Sequence, residues 1–276
     1  MKTWFITGAS RGFGALLVKE ALDRGDNVVG AARNPQILAE KFGVRPNLLA
    51  TKLDVTNEEQ AREAMRQAVE RFGRIDVLIN NAGFGVLGAV EEISDAEVEA
   101  VYRTNVFGLL SVTRAALPQL RRQGSGHIIN VSAVAGYQGF AGWGVYASTK
   151  FAVEGISEGL AMEVKPLGIK VTIVEPGFFR TDFLDGQSLT ICPTVIEDYS
   201  ETTGAMRKAV GTLNHQQPGD PARMAKALLK IVDDQNPPLR MPFGSDTIAT
   251  IEAKNAFVTK ELNNWRALAM STDFAK

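Results

Sequence analysis

The chain has 276 residues, 45% of them hydrophobic, and a formal net charge of −1. This apolar share can bury a large core, and the scattered basic residues indicate binding neither to nucleic acid nor to an acidic membrane surface. One cysteine, Cys192, excludes an intrachain disulfide framework, and two histidines are too few for a Cys/His metal cluster. With no apolar run approaching 18 residues and no room for a signal peptide before residue 8, we expect a cytoplasmic protein without a metal.

Apolar strands and amphipathic helices alternate along the sequence. Strands are predicted at residues 3–7, 27–32, 48–53, 75–79, 127–132, 169–174 and 238–243. Helices are predicted at residues 13–24, 57–72, 95–103, 105–122, 146–166 and 221–234. Capping boxes begin at Thr56 and Ser94, and Asp220 precedes a proline at the start of another helix. This order predicts an α/β fold, a single doubly wound Rossmann-like domain with a parallel sheet of about seven strands.

A glycine-rich turn follows the first predicted strand. Gly8, Gly12 and Gly14 lie between Thr7 and an apolar helix, in the pattern T-G-x-x-x-G-x-G. Glycines allow a ligand to approach the backbone closely, and the free N–H groups at a helix start attract a pyrophosphate. The pattern therefore predicts a phosphate-binding turn, although a glycine turn that binds nothing has the same residues.

Tyr146 and Lys150 are four residues apart on a predicted helix. This spacing places a phenol and an ammonium on one face, about 5–6 Å apart at their Cβ atoms. The pKa of a free tyrosine is near 10, and an adjacent lysine charge favours the phenolate. The pair can therefore transfer protons, but exposed helix faces also produce such pairs by chance.

Five motifs together resemble the short-chain dehydrogenase/reductase family. In chain order they are the glycine turn, Asn80-Asn81-Ala82-Gly83, Asn105, the Tyr146/Lys150 pair and Pro176-Gly177. The resemblance covers residues 2 to about 181 and is compatible with the family to about residue 243. It implies a nucleotide-binding domain over residues 1–243, with a mobile substrate lid at 182–218. Residues 244–276 are predicted to be a helical extension of the same domain.

The resemblance also implies roles for individual residues. Tyr146 would donate a proton to a substrate carbonyl, Lys150 would lower the tyrosine pKa and bind the nicotinamide ribose, and Asn105 would hold a water that links the lysine to solvent. Thr181 would fix the nicotinamide carboxamide. The expected cofactor-binding residues are Gly8, Ser10, Arg11, Gly12, Phe13, Gly14, Arg33, Asp54, Val55, Asn81, Ala82, Gly83, Tyr146, Lys150, Pro176, Gly177, Phe179 and Thr181.

The end of the second predicted strand favours NADP over NAD. Folds that prefer NAD usually carry an acidic residue there, which accepts hydrogen bonds from the adenosine ribose. This chain has Ala32 followed by Arg33, and Arg11 adds a second guanidinium from the glycine turn. Arginine binds phosphate bidentately, so two of them suit a 2′-phosphate. Asp54 resembles the family aspartate that contacts adenine, although aspartate is also an ordinary turn residue.

One position departs from the family pattern. Family members place a serine thirteen residues before the tyrosine, where this chain has Ala133, and Ser132 lies one residue earlier. Because strand side chains alternate between faces, Ser132 would normally point away from the site. Either the loop 134–145 carries an extra residue and turns Ser132 inward, or the serine is missing. We favour the first and assign Ser132 to the catalytic residues.

The function implied by the resemblance is hydride transfer between NADP(H) and a carbonyl or secondary alcohol. Apolar residues of the lid, together with Phe140 and Trp143, favour a hydrophobic ketone, although lid packing would give the same composition. The alternative is a noncatalytic NADP-binding regulator or partner protein of the same fold, which the alanine at position 133 motivates. We also expect a homo-oligomer, a dimer or a tetramer.

Overall fold

A seven-stranded parallel sheet forms the centre of the protein. The computed structural model describes residues 1–274. The strands are β1 (Thr3–Thr7), β2 (Asn27–Ala32), β3 (Leu48–Lys52), β4 (Val77–Asn80), β5 (Gly85–Leu87), β6 (Gly126–Val131), β7 (Ile169–Pro176), β8 (Leu189–Ile191) and β9 (Arg240–Phe243). The large sheet has the order β3-β2-β1-β4-β6-β7-β9, and β5 and β8 form a separate parallel pair. The predicted α/β fold with a parallel sheet of about seven strands is confirmed.

Helices cover both faces of this sheet. They are α1 (Gly12–Asp23), α2 (Gln36–Phe42), α3 (Glu58–Phe72), α4 (Asp95–Tyr102), α5 (Leu109–Gln123), α6 (Gly144–Val164), α7 (Ala205–Leu213), α8 (Pro221–Asp233) and α9 (Ser245–Met270). Adjacent residues of β1 enter different cores: Trp4 packs in the cluster that includes residues of α1 and α8, whereas Phe5 packs in the one that includes residues of α3 and α5. Burial on both faces explains why the strands are apolar throughout.

The strand order reverses between β1 and β4, because β2 and β3 lie on one side of β1 and the later strands on the other. In open parallel sheets of this kind, ligands bind outside the carboxyl ends of the strands at such a reversal. The glycine turn follows β1, and Asn81 follows β4, so both predicted binding segments start at this point.

Two local predictions differ from the structure. The third helix has Asn57 as its N-cap, whose side chain accepts from the amide of Gln60, whereas Thr56 donates to Asp54 instead of forming the predicted capping box. The helix predicted at 105–122 begins after a π-helical turn, Arg103–Gly108. The capping box at Ser94 and the aspartate N-cap at Asp220 are present.

The region between β7 and α8 forms one wall of the binding cleft described below. Its strand β8 pairs with β5, and Arg207 of α7 bonds to Glu92 across 115 residues of sequence. After Thr247, α9 has few buried side chains, and all residues from 255 to 274 are exposed. Residues 275 and 276 of the predicted extension lie outside the described residues. Over residues 1–274, none of the helices combines the length and apolar character needed to cross a membrane.

Candidate active site and cofactor cleft

A cleft of about 900 Å³ opens at the carboxyl ends of the strands. It runs from the glycine turn and the end of β2, past Asn81 and Lys150, to the lid. The structure brings into its wall all the predicted cofactor residues except Gly14, which lies behind the turn. Tyr146, Lys150 and Ser132 also line the cleft, whereas Asn105 is one layer deeper.

The glycine turn has the geometry of a phosphate cradle. Gly8 and Gly12 have φ angles of 63° and 50°, which L side chains rarely adopt. A Cβ on Gly14 would lie 2.6 Å from the side-chain nitrogen of Asn81, so the helix start can approach that asparagine only without a side chain. Asn81 in turn donates to the carbonyl of Thr7 at 3.0 Å. These contacts hold the turn open toward the cleft.

The charged side chains near the carboxyl end of β2 differ in their hydrogen-bond partners. Arg33 is exposed in the cleft wall beside the buried Ala32. Arg11 instead bonds to the side chain and backbone carbonyl of Gln187, so it connects the glycine turn to the lid. Asp54 lines the cleft and accepts hydrogen bonds from Thr56, which is an ordinary turn contact.

Tyr146 and Lys150 lie side by side within the buried first half of α6. The ammonium of Lys150 is 5.8 Å from the centre of the tyrosine ring and donates to the carbonyl of Val131 at 2.8 Å. Trp143 and Phe183 each place a ring centre 5.6 Å from that of Tyr146. Aromatic rings therefore surround the phenol on the substrate side, and β6 holds the lysine.

Burial is the main cause of the shifted pKa values of Tyr146 and Lys150. It raises the pKa of Tyr146 above its ordinary value of 10, so the protein without cofactor keeps this phenol protonated at neutral pH. Burial also lowers the pKa of Lys150 to about 8, against the opposing charge of Glu154. Burial is the cause of the raised pKa of Tyr146, and the expected lowering of this pKa by Lys150 stays a prediction. The phenol is therefore a proton donor, which suits reduction of a carbonyl.

Asn105 lies in the π-helical turn, behind the cleft wall. Its side-chain nitrogen donates to the carbonyl of Phe84 and to Thr149, and its oxygen accepts from the amide of Phe84. A Cβ on Gly83 would be 3.0 Å from the Asn105 oxygen and 3.8 Å from the Lys150 nitrogen. Glycine therefore keeps the space between asparagine and lysine open. The π-turn was not predicted, and such turns often occur at functional sites.

The structure places Ser132 differently from the arrangement we favoured. Its hydroxyl is fully buried, and a Cβ on Gly136 would contact both this hydroxyl and the Glu154 carboxyl. The serine hydroxyl and the Glu154 carboxyl therefore face each other across the space beside Gly136. Ala133, in contrast, packs in the same apolar cluster as Tyr146. Strand alternation is therefore maintained, and this geometry does not turn the serine hydroxyl toward the tyrosine.

The loop after β7 is fixed by residues that the sequence did not indicate. Gly177 donates to the carbonyl of Phe243, and the amide of Phe178 donates to Asp246 at the start of α9. Thr181 accepts from the amide of Phe183 and lines the cleft. The C-terminal helix thus supports the loop to which the resemblance assigns nicotinamide binding.

The substrate end of the cleft is apolar. Its wall carries Phe140, Trp143, Phe183, Leu184 and Met206. Within residues 1–274, no group of three or more His, Cys, Asp or Glu side chains is arranged to hold a metal ion. The tyrosine offers acid–base chemistry, beside a cleft that is large enough for a dinucleotide and an apolar molecule.

A buried ion pair holds the lid against the rest of the protein. Arg207 approaches both carboxylate oxygens of Glu92, at 2.7 and 3.2 Å. The amides of Ala89 and Ile196 also donate to this carboxylate. These bonds and the arginine charge lower the pKa of Glu92 to about 2. Sequence analysis missed this pair, because no local pattern links the two residues.

Comparison with known proteins identifies the family. Residues 2–190 match the model described as short chain dehydrogenase. The chain is 39% identical over 274 residues to Oxidoreductase BOA17 of Botryotinia fuckeliana, covering 98% of this chain and 99% of that protein. It is also 39% identical over 239 residues to 3-ketodihydrosphingosine reductase of Bacteroides thetaiotaomicron, covering 87% and 86% of the two chains.

A solved structure gives the same result. A short-chain dehydrogenase from Streptomyces avermitilis superposes with a TM-score of 0.91 at 39% identity, covering 99% of this chain and all of the other. The chain belongs to the short-chain dehydrogenase/reductase family, as the five motifs indicated, and it is an oxidoreductase.

Proposed function

We propose that this oxidoreductase reduces hydrophobic ketones with NADPH, or oxidises the corresponding secondary alcohols with NADP. The observation that carries the proposal is the position of the Tyr146 phenol, which lies between Lys150 and an aromatic wall within one continuous cleft. Proton donation in the transition state by a positioned side chain typically accelerates a reaction about 10²–10⁴-fold.

The residues of the cleft fit a phosphorylated dinucleotide. The glycine turn would admit the pyrophosphate, because Gly8 and Gly12 hold backbone angles that other residues rarely adopt and Gly14 lets the start of α1 pack against Asn81. Arg33 would pair with the 2′-phosphate, and Arg11 would assist if it exchanged its bond to Gln187 for the phosphate. When bound, NADPH supplies the hydride. The cofactor preference rests on these charges and on the absence of an acidic side chain at position 32.

The protein contributes to carbonyl reduction in two ways: it donates a proton, and it orients the substrate away from water. Tyr146 donates its hydroxyl proton to the carbonyl oxygen, and the charge of Lys150 stabilises the phenolate that remains. The aromatic and aliphatic wall excludes water and orients an apolar substrate. Within residues 1–274, the basic side chains that line the cleft are Arg11, Arg33 and Lys150, which are assigned to the cofactor, so the apolar substrate end offers no cation to a carboxylate or phosphate of the substrate. The similarity to a protein named 3-ketodihydrosphingosine reductase supports an apolar ketone as the substrate class.

The experiment that tests the function uses the purified chain with NADPH and a panel of aryl, aliphatic and steroid ketones. We expect consumption of NADPH with at least one apolar ketone, and no consumption by the Tyr146→Phe variant. NADH in place of NADPH serves as the matched cofactor control. Tight NADPH binding without turnover of any apolar ketone would contradict the proposal.

The orientation of Ser132 favours a second candidate. With Ala133 beside Tyr146, the site lacks the serine hydroxyl expected to polarise the substrate oxygen. The protein could then bind NADP as a noncatalytic regulator or partner. The Ala133→Ser variant distinguishes the two functions: a measurable wild-type rate supports the enzyme, whereas turnover that exists only in this variant supports the regulator.

We further propose a homo-oligomer in the cytoplasm. The outer half of α9 exposes large apolar side chains, among them Leu262, Trp265 and Leu268, which a second subunit would cover. The single cysteine supports a reducing compartment. Light scattering of the wild-type chain and of Leu262→Glu tests the oligomer. A monomeric wild-type protein would contradict it.

A further inference from the structure

Three carboxyl groups surround one guanidinium behind the catalytic helix. Arg240 of β9 lies 3.1 Å from Glu154 and 3.3 Å from Glu175 through the same nitrogen, and 2.5 Å from Glu158 through another. Glu175 is 0% exposed and Glu154 is 6% exposed, whereas Glu158 is at the surface. A single positive charge cannot balance three carboxylates, two of which are removed from water.

The buried oxygen atoms of this cluster lack donors. Within the described residues, one oxygen of Glu154, both oxygens of Glu175 and the Ser132 hydroxyl have no hydrogen-bond partner. Buried carboxylates that share a site cannot both remain ionised, and a proton held by one supplies the missing donor. Burial raises the pKa of Glu154, and burial together with Glu154 raises the pKa of Glu175 to about 7. Arg240 lowers the pKa of both groups.

The cluster is adjacent to the catalytic lysine. Glu154 lies one helical turn after Lys150, so the two side chains share a face of α6. The charged groups around Glu154 are Lys150 and Glu158 on its own helix, Glu175 on β7 and Arg240 on β9. From α9, Lys254 lines the groove outside the cluster, and from the end of β6 Ser132 faces Glu154. Burial disfavours the ammonium of Lys150, and the charge of Glu154 opposes this effect.

We propose that Glu154 and Glu175 hold one proton between them, and that the negative charge left on the pair keeps Lys150 protonated. Glu154 is then a positioning residue that acts on Tyr146 through the lysine. Ser132 lies beside the same pair, and its hydroxyl faces Glu154 and not Tyr146. The consequence for turnover rests on the proposed function, but the protonation states do not.

The protonation of Lys150 can be tested without measuring turnover. The full-length chain, free of cofactor, is labelled with acetic anhydride across a pH series, and acetylation of Lys150 is measured by peptide mass spectrometry. The double variant Glu154→Gln/Glu175→Gln removes the whole charge of the pair and should move the midpoint of labelling to lower pH by about 0.5–2 pH units, the effect of removing a charge about 6 Å away, the spacing of i,i+4 side chains, at effective dielectric constants between 80 and 20. Glu154→Gln alone should move the midpoint less, because Glu175 then releases the shared proton and keeps a negative charge. The matched control Glu158→Gln removes an exposed carboxylate from the same arginine and should move the midpoint by less than about 0.2 pH units. An unchanged midpoint in the folded double variant would overturn the proposal.

A further variant covers the case in which the double variant does not fold. Ser132→Ala removes the polar hydroxyl that faces Glu154. The shared proton should then shift toward Glu154, and the Lys150 midpoint should move to lower pH. A midpoint unchanged or raised in a folded Ser132→Ala protein would count against the proposal. Melting temperatures of all variants show which of them are folded.

The shared proton is tested by infrared difference spectroscopy between about pH 6 and pH 8.5, on either side of the value near which Glu175 titrates. The wild type and Glu158→Gln should show the carbonyl band of a buried protonated carboxyl group at the lower pH, and Glu175→Gln should lose it. Absence of the band from the wild type would refute the shared proton. If no ketone is reduced but labelling and infrared results are as expected, the proposed function fails while this inference stands.

Discussion

Replacing Arg207 with leucine should loosen the lid, because it removes the charged partner of a fully buried carboxylate. The side chain of Glu92 is 0% exposed and that of Arg207 is 14% exposed. The amides of Ala89 and Ile196 would still donate to the carboxylate, at 2.6 and 2.9 Å. They cannot replace the positive charge, so an uncompensated buried charge remains.

The expected loss of stability, measured as the free energy of unfolding, follows from these contacts. Removing one partner of a buried ion pair costs about 3–5 kcal/mol, and because two amide bonds remain we expect about 3 kcal/mol here. For a domain of this size, that corresponds to a fall in Tm of roughly 6–12 °C. Glu92→Gln should cost less, since Arg207 can turn its guanidinium toward water.

A double-mutant cycle measures the coupling. Urea unfolding of Arg207→Leu, Glu92→Gln and the double variant should give a coupling energy of at least about 1 kcal/mol. Tyr199→Phe is the control, because it removes only an exposed bond to Glu91. The KM for the ketone should rise in Arg207→Leu more than in the control. If Arg207→Leu and Tyr199→Phe lose equal stability, the ion pair does not hold the lid.

Four further outcomes are expected. Arg33→Asp should reduce the preference for NADPH over NADH at least about tenfold, since a charge-assisted phosphate bond contributes roughly 1.5–3 kcal/mol; equal dissociation constants in wild-type calorimetry would contradict this. Ser132→Ala should change kcat less than about threefold, whereas Ala133→Ser should raise it about tenfold, because only position 133 can supply an oxyanion donor; a large loss of kcat in Ser132→Ala would show that its hydroxyl reaches the substrate. The rate of ketone reduction should fall as pH rises through about 8, where burial holds the pKa of Lys150, since the charged lysine assists the tyrosine; a pH–rate profile that stays flat above pH 9 would argue against this role. Glu92 has a depressed pKa in the folded protein, so its contribution to stability is present above pH 4.5 and is lost as pH falls toward 2; acid unfolding of Glu92→Gln should lack this component, and identical acid curves would disprove the assignment.

Local sequence patterns were sufficient for the sheet, most helices and the Tyr146/Lys150 pair. Each strand, each helix and the catalytic pair is formed by residues within about twenty positions of one another. Periodicity and motif spacing therefore predict them. The short strands β5 and β8 were missed because three residues carry no period, and they pair across about 100 residues.

Contacts between distant segments could not be predicted from the sequence. Glu154, Glu175 and Arg240 come from α6, β7 and β9, and only the folded sheet brings them together. The orientation of Ser132 depends on that cluster. We favoured a bulged loop that turns Ser132 inward, whereas the structure keeps the strand alternation and places the serine hydroxyl beside Glu154.

Turnover by Tyr146→Phe tests the central claim most directly. The variant loses only the phenolic hydroxyl, so NADPH affinity measured by calorimetry should stay within about twofold of the wild type. The rate of NADPH oxidation with the best apolar ketone should fall about 10²–10⁴-fold, the usual contribution of a general acid. A variant that binds NADPH normally and keeps more than about a tenth of the wild-type rate would show that another group donates the proton.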